Sequence, residues 1–131
     1  MKWLEFVTLL AIIQFLVFGF MTGRARGIYK VQAPAVSGNE MFERYYRVQM
    51  NTLELLVMLL PSLWLAARYM NPDWAAAAGV IYLIGRVIYY FTYIKNPASR
   101  ALGFGLSLMP IIILMVIILI KIGLTWGIED V

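Results

Sequence analysis

Apolar positions gather into four long blocks along this chain. The first runs from Trp3 to Thr22, about the length needed to cross the hydrocarbon core of a bilayer. The others cover Val48 to Tyr69, Trp74 to Ile94 and Ala101 to Ile120. Pro61 falls inside the second block, where a kink is expected, and Pro110 inside the fourth. Lys2 ahead of the first block is also what a secretory signal would carry. Glu5 at its start, and an exit "MTGRARG" without a small-residue cleavage site, favour an uncleaved helix instead.

The polar breaks set the connections. "NPD" at 71–73 and "KNPASR" at 95–100 are short turns that open on Asn-Pro, so the helices on either side run antiparallel. The first break, Gly23 to about Phe42, is longer. Within it Ser37 precedes Glu40 by three residues in "SGNE", a capping-box spacing that predicts a second helix starting well before the bilayer. Residues 1–131 thus read as one domain of all-α class, an integral membrane four-helix bundle.

Composition agrees. Of 131 residues, 63% are hydrophobic and 14% charged, against about a quarter charged in soluble chains. Neither cysteine nor histidine is present. That excludes disulfides, thiolate nucleophiles, histidine bases and most zinc or haem sites, so no metal is expected. Chemistry must rest on Arg, Glu, Tyr, Ser/Thr or a bound cofactor. The net charge of +4 suggests nucleic acid at first sight, but its distribution points to membrane orientation and to no nucleic-acid partner. Arg24, Arg26, Lys30, Arg44, Arg47, Lys95 and Arg100 fall in or beside loops one and three; Lys2, Arg68 and Lys121 are on the other side. The positive-inside rule puts loops one and three in the cytoplasm and both termini opposite. Trp3, Tyr69, Trp74 and Trp126 suit interfacial belts, the methionines suit lipid-facing or packing positions, and Gly79 and Gly85 suit close helix approach.

Against this background the polar residues inside the spans stand out. Arg47, Asn51 and Glu54 lie on one stripe of the second helix, and Arg86, Tyr89 and Tyr93 on one stripe of the third. Counted from the cytoplasmic ends of two antiparallel helices, Glu54 and Arg86 are both about 10–12 Å deep. The two are expected to meet. A Glu54–Arg86 pair that only fixes helix register is one reading. The other is a ligand site, since ionisable groups within a bilayer are costly and face the bundle interior. Guanidinium forks, an amide, an acid and phenols on one wall suit a zwitterionic ligand bearing carboxylates.

"FERYYRVQMNTLE" resembles the signature of the MAPEG family, the membrane-associated proteins of eicosanoid and glutathione metabolism. The pattern F-E-R-x-x-R-x-Q-x-N-x-x-E is met by Phe42, Glu43, Arg44, Arg47, Gln49, Asn51 and Glu54. "GVIYLIGRVIYYFTY" is similar to the family's third helix, with Arg86, Tyr89 and Tyr93 in register. The resemblance implies a homotrimer with the glutathione site between subunits, helices one and two of one facing helices three and four of another. It implies glutathione contacts at Arg26, Arg47, Gln49, Asn51, Glu54, Arg86, Tyr89, Tyr93 and Arg100. Arg100 matches the arginine that stabilises the thiolate, with Tyr93 as the alternative hydrogen-bond donor; snorkelling and interfacial anchoring are their non-catalytic readings. The implied partners are glutathione, a hydrophobic electrophile and the lipid bilayer.

A free thiol of this kind has a pKa of about 8.5, and the thiolate is the nucleophile. A guanidinium that cannot deprotonate favours that anion. Leukotriene-C synthases carry an arginine at the position of Gly27 and a tyrosine at that of Leu55, so a general detoxifying transferase fits better, with peroxidase activity left open. Two rival classes remain: a proton-coupled transporter using Glu54, which the neighbouring arginines disfavour, and a non-catalytic membrane subunit.

Overall fold

The computed structural model describes residues 1–128, so positions 129–131 of the expected 1–131 domain lie outside the described residues. Four helices follow in order: α1 (Lys2–Ile28), α2 (Glu40–Tyr69), α3 (Pro72–Lys95) and α4 (Ala101–Thr125). All four are long and apolar enough to cross a membrane, which fits an integral, multi-pass protein of all-α class. α2 and α3 each pack against both α1 and α4, which stand on opposite flanks. α2 and α4 continue helical through Pro61 and Pro110.

The ends explain the lengths. α1 runs past Thr22 because Arg24, Ala25 and Arg26 are good helix formers. It closes where Lys30 takes a left-handed backbone (φ 56°) and the Val31 N–H donates to the Arg26 carbonyl at 3.0 Å. That is the 6→1 bond of a Schellman turn. α2 does begin well ahead of its apolar stretch, but its cap is two residues later than the capping-box spacing predicts. Asn39, extended at φ −147°, accepts from the Phe42 N–H at 3.0 Å. Gly38, at φ +121°, makes a turn that an L side chain would strain, and donates its N–H to Glu43 at 3.4 Å. Both Asn-Pro turns form as expected. Asn71 accepts from the Asp73 N–H at 2.9 Å, with Pro72 as the first residue of α3. Asn96 accepts from the Ala98 N–H at 3.1 Å and starts a single 3-10 turn, Pro97–Ser99, that leads to Arg100.

The two ends of the bundle are built differently. Towards the chain termini, Leu4, Leu59, Leu63, Tyr82, Ile111 and Leu114 make an apolar core. Small residues let the helices touch. A Cβ on Gly79 would stand 2.4 Å from Val7 Cγ1, and one on Gly85 2.7 Å from the Ser107 nitrogen. A Cβ on Gly103 would stand 2.4 Å from the Tyr89 backbone nitrogen. α3 and α4 are therefore in backbone contact. At the opposite end, where α1 and α3 finish and α2 and α4 start, the polar residues collect.

Candidate functional site

α2 brings Arg47 and Asn51 to this end, one turn apart on the face turned to α3 and α4. α3 supplies Tyr89 and Tyr93, also one turn apart, with rings stacked at 5.3 Å. α4 opens on Arg100 and adds Phe104. These six side chains line a groove of about 390 Å³. A neighbouring cavity of about 350 Å³ shares Arg47 and Tyr93 and continues past Arg44, Glu43 and Pro97 toward the loops. Arg44 fixes the meeting of α2 with α3. It donates to the Ile94 carbonyl at 2.8 Å, a cation on the last turn of α3.

The wall behind the groove is held by Arg86, which has no solvent exposure. Its Nη1 donates to Asn51 Oδ1 at 2.7 Å and to Thr52 Oγ1 at 3.3 Å. Its Nε donates to Ser107 Oγ at 2.8 Å, and Ser107 in turn donates to the Gly103 carbonyl. The guanidinium also sits 4.2 Å from the centre of the Tyr89 ring. One cation thereby ties α2, α3 and α4 together. Because Asn51 Oδ1 is taken up by Arg86, the amide's NH₂ is left as the donor for the groove.

The expected Glu54–Arg86 pair does not form. Glu54 instead accepts from Arg47 at 2.9 Å, with both side chains about half exposed. The two helices do bring Arg86 level with α2, but helical rotation turns the amide at 51 and not the acid at 54 toward it. The acceptors around Arg86 are all neutral, and its Nη2 has no partner among the described residues. A buried cation of this kind makes the adjoining groove favourable for anions.

Arg47, Asn51, Tyr89, Tyr93 and Arg100 thus converge within one chain. Within the chain, α2 joins α3 and α4 around this groove. Two candidates lie elsewhere. Arg26 donates to the Ala35 carbonyl at 2.7 Å and covers the Phe42 ring at 4.7 Å. Gln49 packs beside Gly19 of α1.

The MAPEG family model matches residues 4–120. The chain belongs to the MAPEG family. It is 44% identical over 120 residues to an uncharacterized protein of Synechocystis sp., covering 92% of this chain and 88% of that one. It is 38% identical over 102 residues to human microsomal glutathione S-transferase 2, covering 78% of this chain and 69% of the relative. Leukotriene C4 synthase of Cavia porcellus is 35% identical over 94 residues, with coverage of 72% and 63%.

Three side chains of this MAPEG groove escaped the sequence reading. Phe104 lines it, while Thr52 and Ser107 serve Arg86. Ser107 carried a usable signal: it is a hydroxyl in an otherwise apolar span, two turns beyond Arg100 on the same helical face. Thr52 and Phe104 resemble ordinary packing residues and carried none.

Proposed function

We propose that this MAPEG protein is a membrane-bound glutathione transferase that joins the glutathione thiolate to hydrophobic electrophiles. The observation that carries the reading is the convergence of Arg47, Asn51, Tyr89, Tyr93 and Arg100 on one groove. Relatives named microsomal glutathione S-transferase 2 at 37–39% identity support it. Glutathione brings two carboxylates, an ammonium, two amides and a thiol. Arg47 offers a fork for a carboxylate, Glu54 beside it can receive the ammonium, and Asn51 donates to a carbonyl or carboxylate. Arg100, at the start of α4, stabilises the thiolate, with the Tyr93 hydroxyl as a second donor. Buried Arg86 acts through Asn51 and through its uncompensated charge.

The thiolate lone pair forms the new S–C bond. The displaced group leaves with its bonding pair, or an epoxide oxygen opens and takes a proton from water. No histidine base is required, because the proton is lost when the thiol ionises. The electrophile reaches the groove from the bilayer. In this reading loops one and three face the cytoplasm, where glutathione enters, and both termini lie opposite. The assembly is a homotrimer, with Arg26 and Gln49 contributed by a neighbouring copy. Gly27 and Leu55 set it toward broad detoxifying conjugation over leukotriene synthesis. The transporter reading is weakened by Arg47, a permanent cation 2.9 Å from Glu54.

The test is conjugation of a chloronitrobenzene by the purified protein in detergent. Product that requires both glutathione and the protein is expected. A folded protein that binds glutathione and gives no product would leave only the non-catalytic reading. Reduction of a lipid hydroperoxide, assayed separately, decides peroxidase activity.

A further inference from the structure

A second groove runs between α1 and α3 and shares no lining residue with the one holding Arg100. It consists of two cavities, of about 210 and 200 Å³, joined through Met21 and Tyr90. The end nearest the first loop is framed by Arg24, Tyr29 and Tyr45. The far end is lined by Val17, Val87 and Phe91. Its floor is aromatic: the Phe18 and Tyr90 rings stack at 5.3 Å, and Tyr45 meets Tyr90 edge-on at 6.1 Å. From Val17 to Ile28 the groove follows α1 for about 16 Å, at 1.5 Å per residue.

The charge at its mouth is unspent. Arg26 and Arg44 are engaged by carbonyls, and Arg47 by Glu54. Arg24 is exposed and has no hydrogen-bond or ion-pair partner among the described residues. A permanent cation flanked by phenols, above an apolar trough along the membrane direction, is complementary to an anionic amphiphile. We propose that the α1–α3 groove binds an anionic phospholipid of the surrounding bilayer, its phosphate on Arg24 and one acyl chain along Val17, Val87 and Phe91.

The openness of the trough selects this occupant. Val17, Val87 and Phe91 are 42%, 46% and 66% exposed, so within a membrane they face acyl chains directly. A dilute hydrophobic substrate would compete there with the bilayer itself, and none of Arg47, Tyr93 and Arg100 lines the groove. A headgroup of net negative charge held by an interfacial cation keeps an attraction that the choline cation of a zwitterionic lipid offsets. Arg24 and Arg26 are two residues apart on α1, about 200° around the helix, so this face points away from the one carrying Arg26.

The experiment is native mass spectrometry of the full-length protein released from mixed micelles containing equal phosphatidylglycerol and phosphatidylcholine. Phosphatidylglycerol should be retained in preference by about fivefold, the worth of one basic side chain at an anionic surface. Arg24→Gln should erase the preference, while Arg68→Gln, at the opposite end of the bundle, should keep it. Val87→Trp, which fills the trough, should reduce retention of both lipids. Unfolding temperatures in phosphatidylcholine alone verify that each variant is folded. Equal retention of the two lipids by the wild type would overturn the proposal, as would an unaltered preference in Arg24→Gln. Displacement of phosphatidylglycerol by an equimolar fatty acid would overturn it too, by making the site one for free carboxylates.

Discussion

Replacing Gly103 by alanine is expected to force α4 away from α3 and to loosen the groove with it. The new methyl would stand 2.4 Å from the Tyr89 nitrogen, 2.5 Å from its Cα and 2.8 Å from its Cβ. The first two are backbone atoms, so no rotamer change relieves the clash and the helices must separate. Overpacking of this kind costs about 1–3 kcal/mol. Alanine also gains about 1 kcal/mol of helix propensity over glycine, which would mask part of the loss. Gly105→Ala removes that ambiguity. It lies on the same helix, one turn or less away, with nothing within 4 Å of its would-be Cβ, and it gains the same propensity. The difference in unfolding free energy between the two variants is therefore the steric cost alone, about 1–3 kcal/mol. Thermal unfolding in one detergent, with and without glutathione, measures it. Gly103→Ala should unfold at the lower temperature and bind glutathione more weakly, because Tyr89 and Arg100 sit on the two elements pushed apart. Equal unfolding temperatures and equal affinities would refute the backbone contact between α3 and α4.

Further outcomes follow from the same geometry. Glu54→Gln should leave folding intact, since an exposed pair contributes about 0–1 kcal/mol, yet raise the KM for glutathione by removing the anion that receives its ammonium; calorimetry and kinetics check both. Asn51→Asp gives Arg86 a carboxylate partner and takes a donor from the groove. It should raise the unfolding temperature while glutathione affinity falls about tenfold or more, the worth of a hydrogen bond to a charged group. Arg100→Ala should keep glutathione bound but return its thiol toward the free pKa of about 8.5, read as thiolate ultraviolet absorbance against pH; identical titrations in wild type and variant would shift the role to Tyr93. Single cysteines at Ser37 and Ser99 should resist impermeant thiol reagents outside intact cells. One at Asp130, outside the described residues, should label.

Sequence alone determined the four helices, because apolar length is a one-dimensional property and a bilayer demands that each span satisfy its own backbone. It also determined both Asn-Pro turns, the close approach at Gly79 and Gly85 and the stripe carrying Arg47 and Asn51, which are local spacings on one element, whereas the Gly103 contact came only from the fold. The start of α2 was legible only to within two residues, since Ser37 and Asn39 are both capping residues and the positive φ of Gly38 decides between them. What tertiary structure decided is who faces whom. A shared depth for Arg86 and Glu54 says nothing of azimuth, and the rotation of α2 against α3 gave Arg86 to Asn51 and Glu54 to Arg47. Ser107 joined that network only because Gly85 and Gly103 let α4 approach within backbone contact of α3. The separation of Arg24 from Arg26 onto different faces likewise needed the extension of α1 to Ile28, where a loop had been expected.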